Sequence, residues 1–183
     1  MKAEPLAIPG VVLIQTRTFA DERGSFSETW NSRAFSEAGI TAEFVQDNHA
    51  KSARAGTVRG LHYQTPPHAQ GKLVRVIRGA IFDVAVDMRK ASPSFGRSVS
   101  ATLTADNAHQ LWVPAGFAHG YATLEDDTEV LYKVTDFYAP ECEGGVLWND
   151  PDLAIEWPVD ANSALLSGKD LKLPRFCDVA SPF

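Results

Sequence analysis

Val58-Arg-Gly-Leu-His-Tyr-Gln-Thr-Pro-Pro-His-Ala-Gln-Gly-Lys72 reads as strand, break and strand. His62 and Gln64 are two residues apart, so on a strand both side chains point to one face. Pro66-Pro67 ends that strand, because neither ring nitrogen has a hydrogen to give to a ladder. Leu73 to Ile77 resumes in strand-like composition with Lys72 at its entrance. The spacing predicts one hairpin that brings an imidazole and an ammonium to neighbouring places. Arg59 lies on the opposite parity from His62 and shares its face only if Gly60 permits a bulge. Taken alone, the stretch suits a solvated basic rim as well as it suits a site.

Outward from this stretch, strands dominate. Val11 to Ile14 is a short apolar run. Asp21-Glu22-Arg23-Gly24 is a turn, with Gly24 free to take positive φ. Ser25 to Trp30 puts Phe26, Glu28 and Trp30 on one parity; Glu28 there either lines a site or guards a sheet edge. Asn31 or Ser32 caps a short helix through Ala34, Phe35 and Glu37, which Gly39 stops. Gln46 and Asn48 share a strand face. Beyond Lys72, residues 81–88, 98–104 and 129–135 alternate with period two, and Gly79, Pro93 and Gly96 punctuate them. Leu111 to Val113 ends at Pro114-Ala115-Gly116, and His119-Gly120 follows that turn. Many short strands and little helix indicate an all-β sandwich or barrel with a few short helices. After Pro140 the pattern turns irregular. Loops around Trp148 and Trp157 are expected to wrap a sheet and to pack the tail with Lys169 and Asp170 back on the body.

The chain of 183 residues predicts one domain over residues 1–183, long enough to bury a core. A net charge of −6 without a basic block argues against nucleic acid as partner. Cys142 and Cys177 lack the spacing of a disulfide framework or a zinc knuckle. No apolar run is long enough for a membrane span, and the first residues carry no apolar leader, so a cytoplasmic protein is expected.

There is no Gly-rich phosphate loop ahead of a helix, so a nicotinamide or ATP cofactor has no evident seat. No Ser or Cys occupies a recognisable nucleophile turn. His62-Tyr63-Gln64 with the later His119 has the rhythm of a metal-binding β-barrel. However, Gln64 stands where such a site needs a second histidine, no carboxylate follows, and Gln is a poor ligand for a transition metal. The expectation is therefore no metal and no cofactor. His62, His119, Lys72, Tyr132 and Asp170 remain. A histidine base, a tyrosine acid and a lysine beside an oxyanion suit proton abstraction next to a carbonyl followed by reprotonation.

The segments Asp21 to Glu28, Gln46 to His49, Arg59 to Gln64, Gln70 to Val74, Pro114 to Gly120 and Trp148 to Pro151 resemble the dTDP-4-dehydrorhamnose 3,5-epimerase family. The likeness runs from about Gly10 to Asp170, in the family's order and spacing. It implies a cupin-type jelly roll, a homodimer, a dTDP-sugar substrate and catalysis without metal or cofactor. Position by position it implies His62 as general base, Asp170 as the carboxylate that orients it and Tyr132 as general acid. Lys72 is implied to bind the substrate and to stabilise the enolate oxygen. Arg23, Glu28, Gln46, Asp47, Asn48, Arg59, His119, Glu143 and Lys169 match positions that bind the nucleotide-sugar, and Tyr138 matches one that stacks on the base. One departure is visible. Ala50-Lys51 stands where Ser-Arg is more usual, losing a hydroxyl and a planar fork. A single-site C3 or C5 epimerase would use the same residues, so the sequence leaves that alternative open.

Overall fold

The computed structural model describes all residues from Met1 to Phe183. Strands β1 (Lys2–Pro5), β2 (Val12–Gln15), β5 (Gln46–Ser52), β7 (Lys72–Arg78), β10 (His109–Val113) and β12 (Thr128–Val134) form one sheet, in the order β1-β2-β10-β7-β12-β5. Strands β6 (Val58–Gln64), β8 (Ala80–Asp87), β9 (Ser98–Thr104), β11 (Phe117–Thr123) and β13 (Glu143–Gly145) form the second, in the order β13-β6-β11-β8-β9. All ladders in both sheets are antiparallel. The sheets face each other as a cupin-like jelly roll. A separate hairpin, β3 (Thr18–Asp21) with β4 (Gly24–Ser27), pairs only with itself. No helix is long and apolar enough to cross a membrane.

The core follows from side-chain parity. Val74, Val76 and Val130 from the first sheet meet Ile81, Ala85, Phe117 and Tyr121 from the second. The outer face of the second sheet carries Leu61, Val84, Val86 and Ala118, and the returning C-terminal chain covers it with Trp157, Phe176 and Phe183. Wet-side alternation is therefore absent from β11, whose residues are all buried. That is why the run after Gly116 does not announce itself as a strand: a strand buried on both faces shows no period of two. The helix Ser32–Glu37 forms as its sequence dictates. Asn31 accepts from the Arg33 and Ala34 amides at 3.1 and 3.2 Å. Gly39 takes φ +83°, and the Ile40 amide returns to the Phe35 carbonyl at 2.8 Å, closing a Schellman cap. Phe35 buries against Ile14, Ile40 and Leu73.

Two expectations need correction. The stretch from Val58 to Lys72 is not a hairpin: β6 and β7 belong to facing sheets, and residues 65–71 cross between them. The crossing is held by Gln64, whose amide nitrogen donates to the His68 carbonyl at 2.7 Å and whose amide oxygen accepts from the Ala139 amide at 3.0 Å. Phe26, Glu28 and Trp30 do not share a strand face either. The strand ends at Ser27, Phe26 is 70% exposed, and Trp30 turns away to pack on Phe35 and Phe44.

Candidate active site

The inward-facing side chains of β6, β7, β11 and β12 leave a cleft of about 420 Å³ between the sheets. Arg59, His62, Lys72, His119, Tyr132 and Asp170 line it. An adjoining cavity of about 250 Å³ shares His62, Lys72 and Tyr132 and adds Gln46, Asn48, Gln64, Tyr138 and Glu143.

Arg59 reaches this face because of a bulge. In the β6–β11 ladder His62 pairs with His119 and Arg59 with Tyr121, so Gly60 and Leu61 together oppose Gly120. Gly60 has φ +121°, and a Cβ there would stand 2.6 Å from the Gly120 Cα. Only glycine fits both the dihedral and the space. The extra residue flips the parity and puts Arg59 beside His62. Its guanidinium donates to the Lys51 carbonyl at 3.1 Å and to Ser52 Oγ at 3.3 Å. Of the unusual pair, Ala50 lines the cleft, whereas the Lys51 side chain lies outside and meets Asp127 and Glu129.

His62 Nε2–H donates to Asp170 Oδ1 at 2.6 Å. This commits one ring nitrogen and leaves Nδ1 to take a proton. Asp170 opens a short 3₁₀ turn, Asp170–Lys172, and is buried. Burial works to raise its carboxyl, but the bond and charge of His62, with help from Ser167 and the Gly60 amide, hold it below its ordinary value. The tail therefore does fold back on the body, as the Leu165 bridge to Thr57 also shows. Lys72 Nζ donates to the His62 carbonyl at 3.3 Å. Burial pulls its ammonium down to about 8, with Asp83 and then Glu143 opposing. Tyr132 comes from the sheet opposite His62. Burial raises its phenol, Arg59 opposing, so the group stays protonated. At the rim, Glu143 accepts from the Tyr138 hydroxyl at 3.1 Å and pairs with Lys169.

The structure thus gathers His62, Lys72, Tyr132, Asp170, Gln46, Asn48, Arg59, His119, Tyr138, Glu143 and Lys169 around one elongated cleft. It does not bring in Asp47, Arg23 or Glu28. Asp47 lies on the outer face of β5 and binds Lys133 at 2.8 Å. Arg23 sits at the tip of the detached hairpin, 85% exposed and paired with Asp21, and Glu28 is exposed just beyond it. Sequence reasoning missed Tyr121, which lines the cleft, and Asp83, buried behind it and bonded to His119. The odd placement of Asp83 inside an apolar alternating strand was the one signal for it. No group of three or more His, Cys, Asp or Glu side chains is placed to hold a metal ion.

Residues 5–178 match the sequence model of a family described as dTDP-4-dehydrorhamnose 3,5-epimerase. A protein of that name from Pseudomonas aeruginosa is 55% identical over 97% of each chain. A crystal structure of the epimerase from Bacillus anthracis, with TDP and PPi bound, superposes with a TM-score of 0.92 at 49% identity, covering 95% of this chain and 98% of that one. A dTDP-6-deoxy-D-glucose-3,5-epimerase from Legionella pneumophila, in complex with dTDP-4-keto-L-rhamnose, superposes with the same score at 41% identity, covering 97% and 94%. Motif order, fold and a cleft built from facing sheets agree with these likenesses, and the chain belongs to the dTDP-4-dehydrorhamnose 3,5-epimerase family.

Proposed function

We propose that this isomerase inverts C3 and C5 of dTDP-4-dehydro-6-deoxy-D-glucose to give dTDP-4-dehydro-L-rhamnose, for dTDP-L-rhamnose biosynthesis, with no cofactor. The observation that supports the mechanism is that His62 and Tyr132 stand on facing sheets and line one cleft, with Lys72 beside Tyr132's strand and bonded to the His62 carbonyl. Both reacting carbons flank the C4 ketone, so removing either proton leaves an enolate with its charge on O4. His62 Nδ1 takes the proton, and Asp170 stabilises the imidazolium that forms. Lys72 faces the developing oxyanion, where a buried ammonium is worth more than one in water. A base that returns its own proton restores the starting configuration. Inversion requires a donor on the other face, and the protonated Tyr132 phenol supplies it.

Arg59 and Lys169 give the diphosphate positive partners in an otherwise acidic protein, and exposed Tyr138 offers a ring for the base. A homodimer supplies what one copy lacks. The hairpin with Arg23 and Glu28 has no ladder partner and exposes Phe19 and Phe26, so it suits delivery to a second copy. The test is proton NMR of dTDP-4-dehydro-6-deoxy-D-glucose with the enzyme in D2O and excess chelator. Deuterium at C3 and C5 with inversion at both is expected. Inversion at one carbon alone would make the chain a single-site epimerase, and no exchange at either would remove the reading.

A further inference from the structure

A second histidine–carboxylate pair lies under the first. His119 Nε2–H donates to Asp83 Oδ1 at 2.7 Å, with the two side chains 7% and 0% exposed. Asp83 Oδ2 has no hydrogen-bond partner, and neither has the buried hydroxyl of Tyr121, its cross-strand neighbour. Leaving one buried acceptor unpaired is costly, and more so when it is charged. Asp87, on the same strand and also fully buried, shows what a purely structural carboxylate looks like here. It accepts from Arg89, Ser92 and Ser94, and both its oxygens are used. Asp83 is held in a less satisfied state, which points to function rather than packing.

We propose that Asp83 is a positioning residue for proton transfer, acting through His119 and Lys72. This rests on the epimerase reading above. Asp83 has no exposed surface, so it cannot touch a substrate. Through His119 it acts by orientation. With Nε2–H committed to the carboxylate, a neutral imidazole turns Nδ1 toward the cleft as an acceptor for a sugar hydroxyl. Through Lys72 it acts by charge. The cavities that Lys72 lines also hold His62 and Arg59 from β6, His119 and Tyr121 from β11, Tyr132 from β12, Tyr138 before β13, Glu143 from β13, and Lys169 and Asp170 from the tail. Of the carboxylates near it, Glu143 already pairs with Lys169 and Asp170 with His62. Asp83 keeps a fully buried oxygen free of any partner. It is also the foremost charge keeping Lys72 protonated against its burial.

Asp83→Asn keeps the shape and an acceptor for His119 while removing the charge. Its kcat should fall about threefold or more at pH 9 and less at pH 7, because the basic limb set by Lys72 moves to lower pH by roughly half a unit or more. KM should change little. An unmoved basic limb overturns the charge role, and a rise in KM at constant kcat overturns positioning altogether. If the variant does not fold, 15N NMR of histidine in the unmodified protein decides. Neutral His119 should carry its proton on Nε2, and a proton on Nδ1 sinks the proposal. Lysine NMR titration of both proteins reads the Lys72 shift without turnover. Failure of the epimerase reading, seen as no activity in the unmodified enzyme, is thereby distinguished from failure of this one.

Discussion

Tyr132 and Lys133 are neighbours in β12 and belong to different regions of the molecule. Tyr132 points between the sheets into the cleft, and Lys133 points outward to bind Asp47 at 2.8 and 3.0 Å. The same division runs along β5. Gln46 donates to Asn48 at 2.9 Å on the inner face, while His49 and Lys51 meet Glu129 on the outer one. The outer pairs lie in water, where such contacts contribute only ~0–1 kcal/mol each. Lys72, Asp83 and Asp170 are ionisable groups taken out of water, which is costly unless each is paired and hydrogen-bonded. Charge is therefore inexpensive on the outer face of the first sheet and expensive between the sheets. The expensive charges mark where chemistry is expected, and substitutions on the two faces should differ in scale.

The largest effect belongs to His62→Ala. Loss of a positioned base typically costs ~10²–10⁴-fold, and solvent deuterium uptake at both C3 and C5 should fall together, with the circular dichroism spectrum unchanged. Asp170→Asn should follow in the same direction by leaving the imidazolium without its partner. Normal exchange in His62→Ala would remove the inner face's claim to the chemistry.

Lys72→Met comes next. It keeps the length and removes the ammonium, and losing one oxyanion donor typically costs ~10²–10³-fold in kcat. Substrate affinity should fall less, since the charge on O4 is present only beyond the ground state. A pH profile sharpens this. Lys72 is lowered from 10.5 to about 8, so kcat should fall as pH rises through that value. In Lys72→Met this basic limb should vanish. A variant that binds poorly but turns over normally would make Lys72 a phosphate contact.

Tyr132→Phe keeps the ring and its packing on the core. His62 should still exchange deuterium with retention, while inversion drops about 10²-fold, most clearly at C5. Exchange and inversion are read from one NMR sample in D2O. Inversion of both centres at the unmodified rate would assign the acid to another group.

The strands and the helix caps were legible because each has a local cause: period-two alternation, Asn31 ahead of the helix, Gly39 behind it. The bulge at Gly60 was legible as a condition, since Arg59 had the wrong parity for its expected neighbours. What the sequence hid was non-local. Residues 65–71 look like a hairpin loop, and only the sheet assignment of Lys72 shows that they cross the sandwich. β11 lacks alternation because both its faces are buried. The His119–Asp83 pair joins residues on adjacent strands far apart in the chain, and no spacing rule links them.

Asp47 provides the smallest and most discriminating test. Its place in Gln46-Asp47-Asn48-His49 matched a substrate-binding segment, yet parity on β5 turns it away from the cleft that its two neighbours line. Its carboxylate is 67% exposed and its partner Lys133 31% exposed, so the pair is screened by water. Asp47→Asn should cost about 0.2–1 kcal/mol of stability, the range for exposed pairs. Its kcat/KM should stay within about threefold, the scale of a surface change made away from special features. Thermal melts and steady-state kinetics on the same preparation read both quantities. A tenfold loss of kcat/KM with an unchanged melt would break the division between the faces. Asp47 would then join Arg23 and Glu28 among the outer groups proposed to reach substrate from a second copy. That result would move the boundary of the site from the single cleft to the surface between protomers.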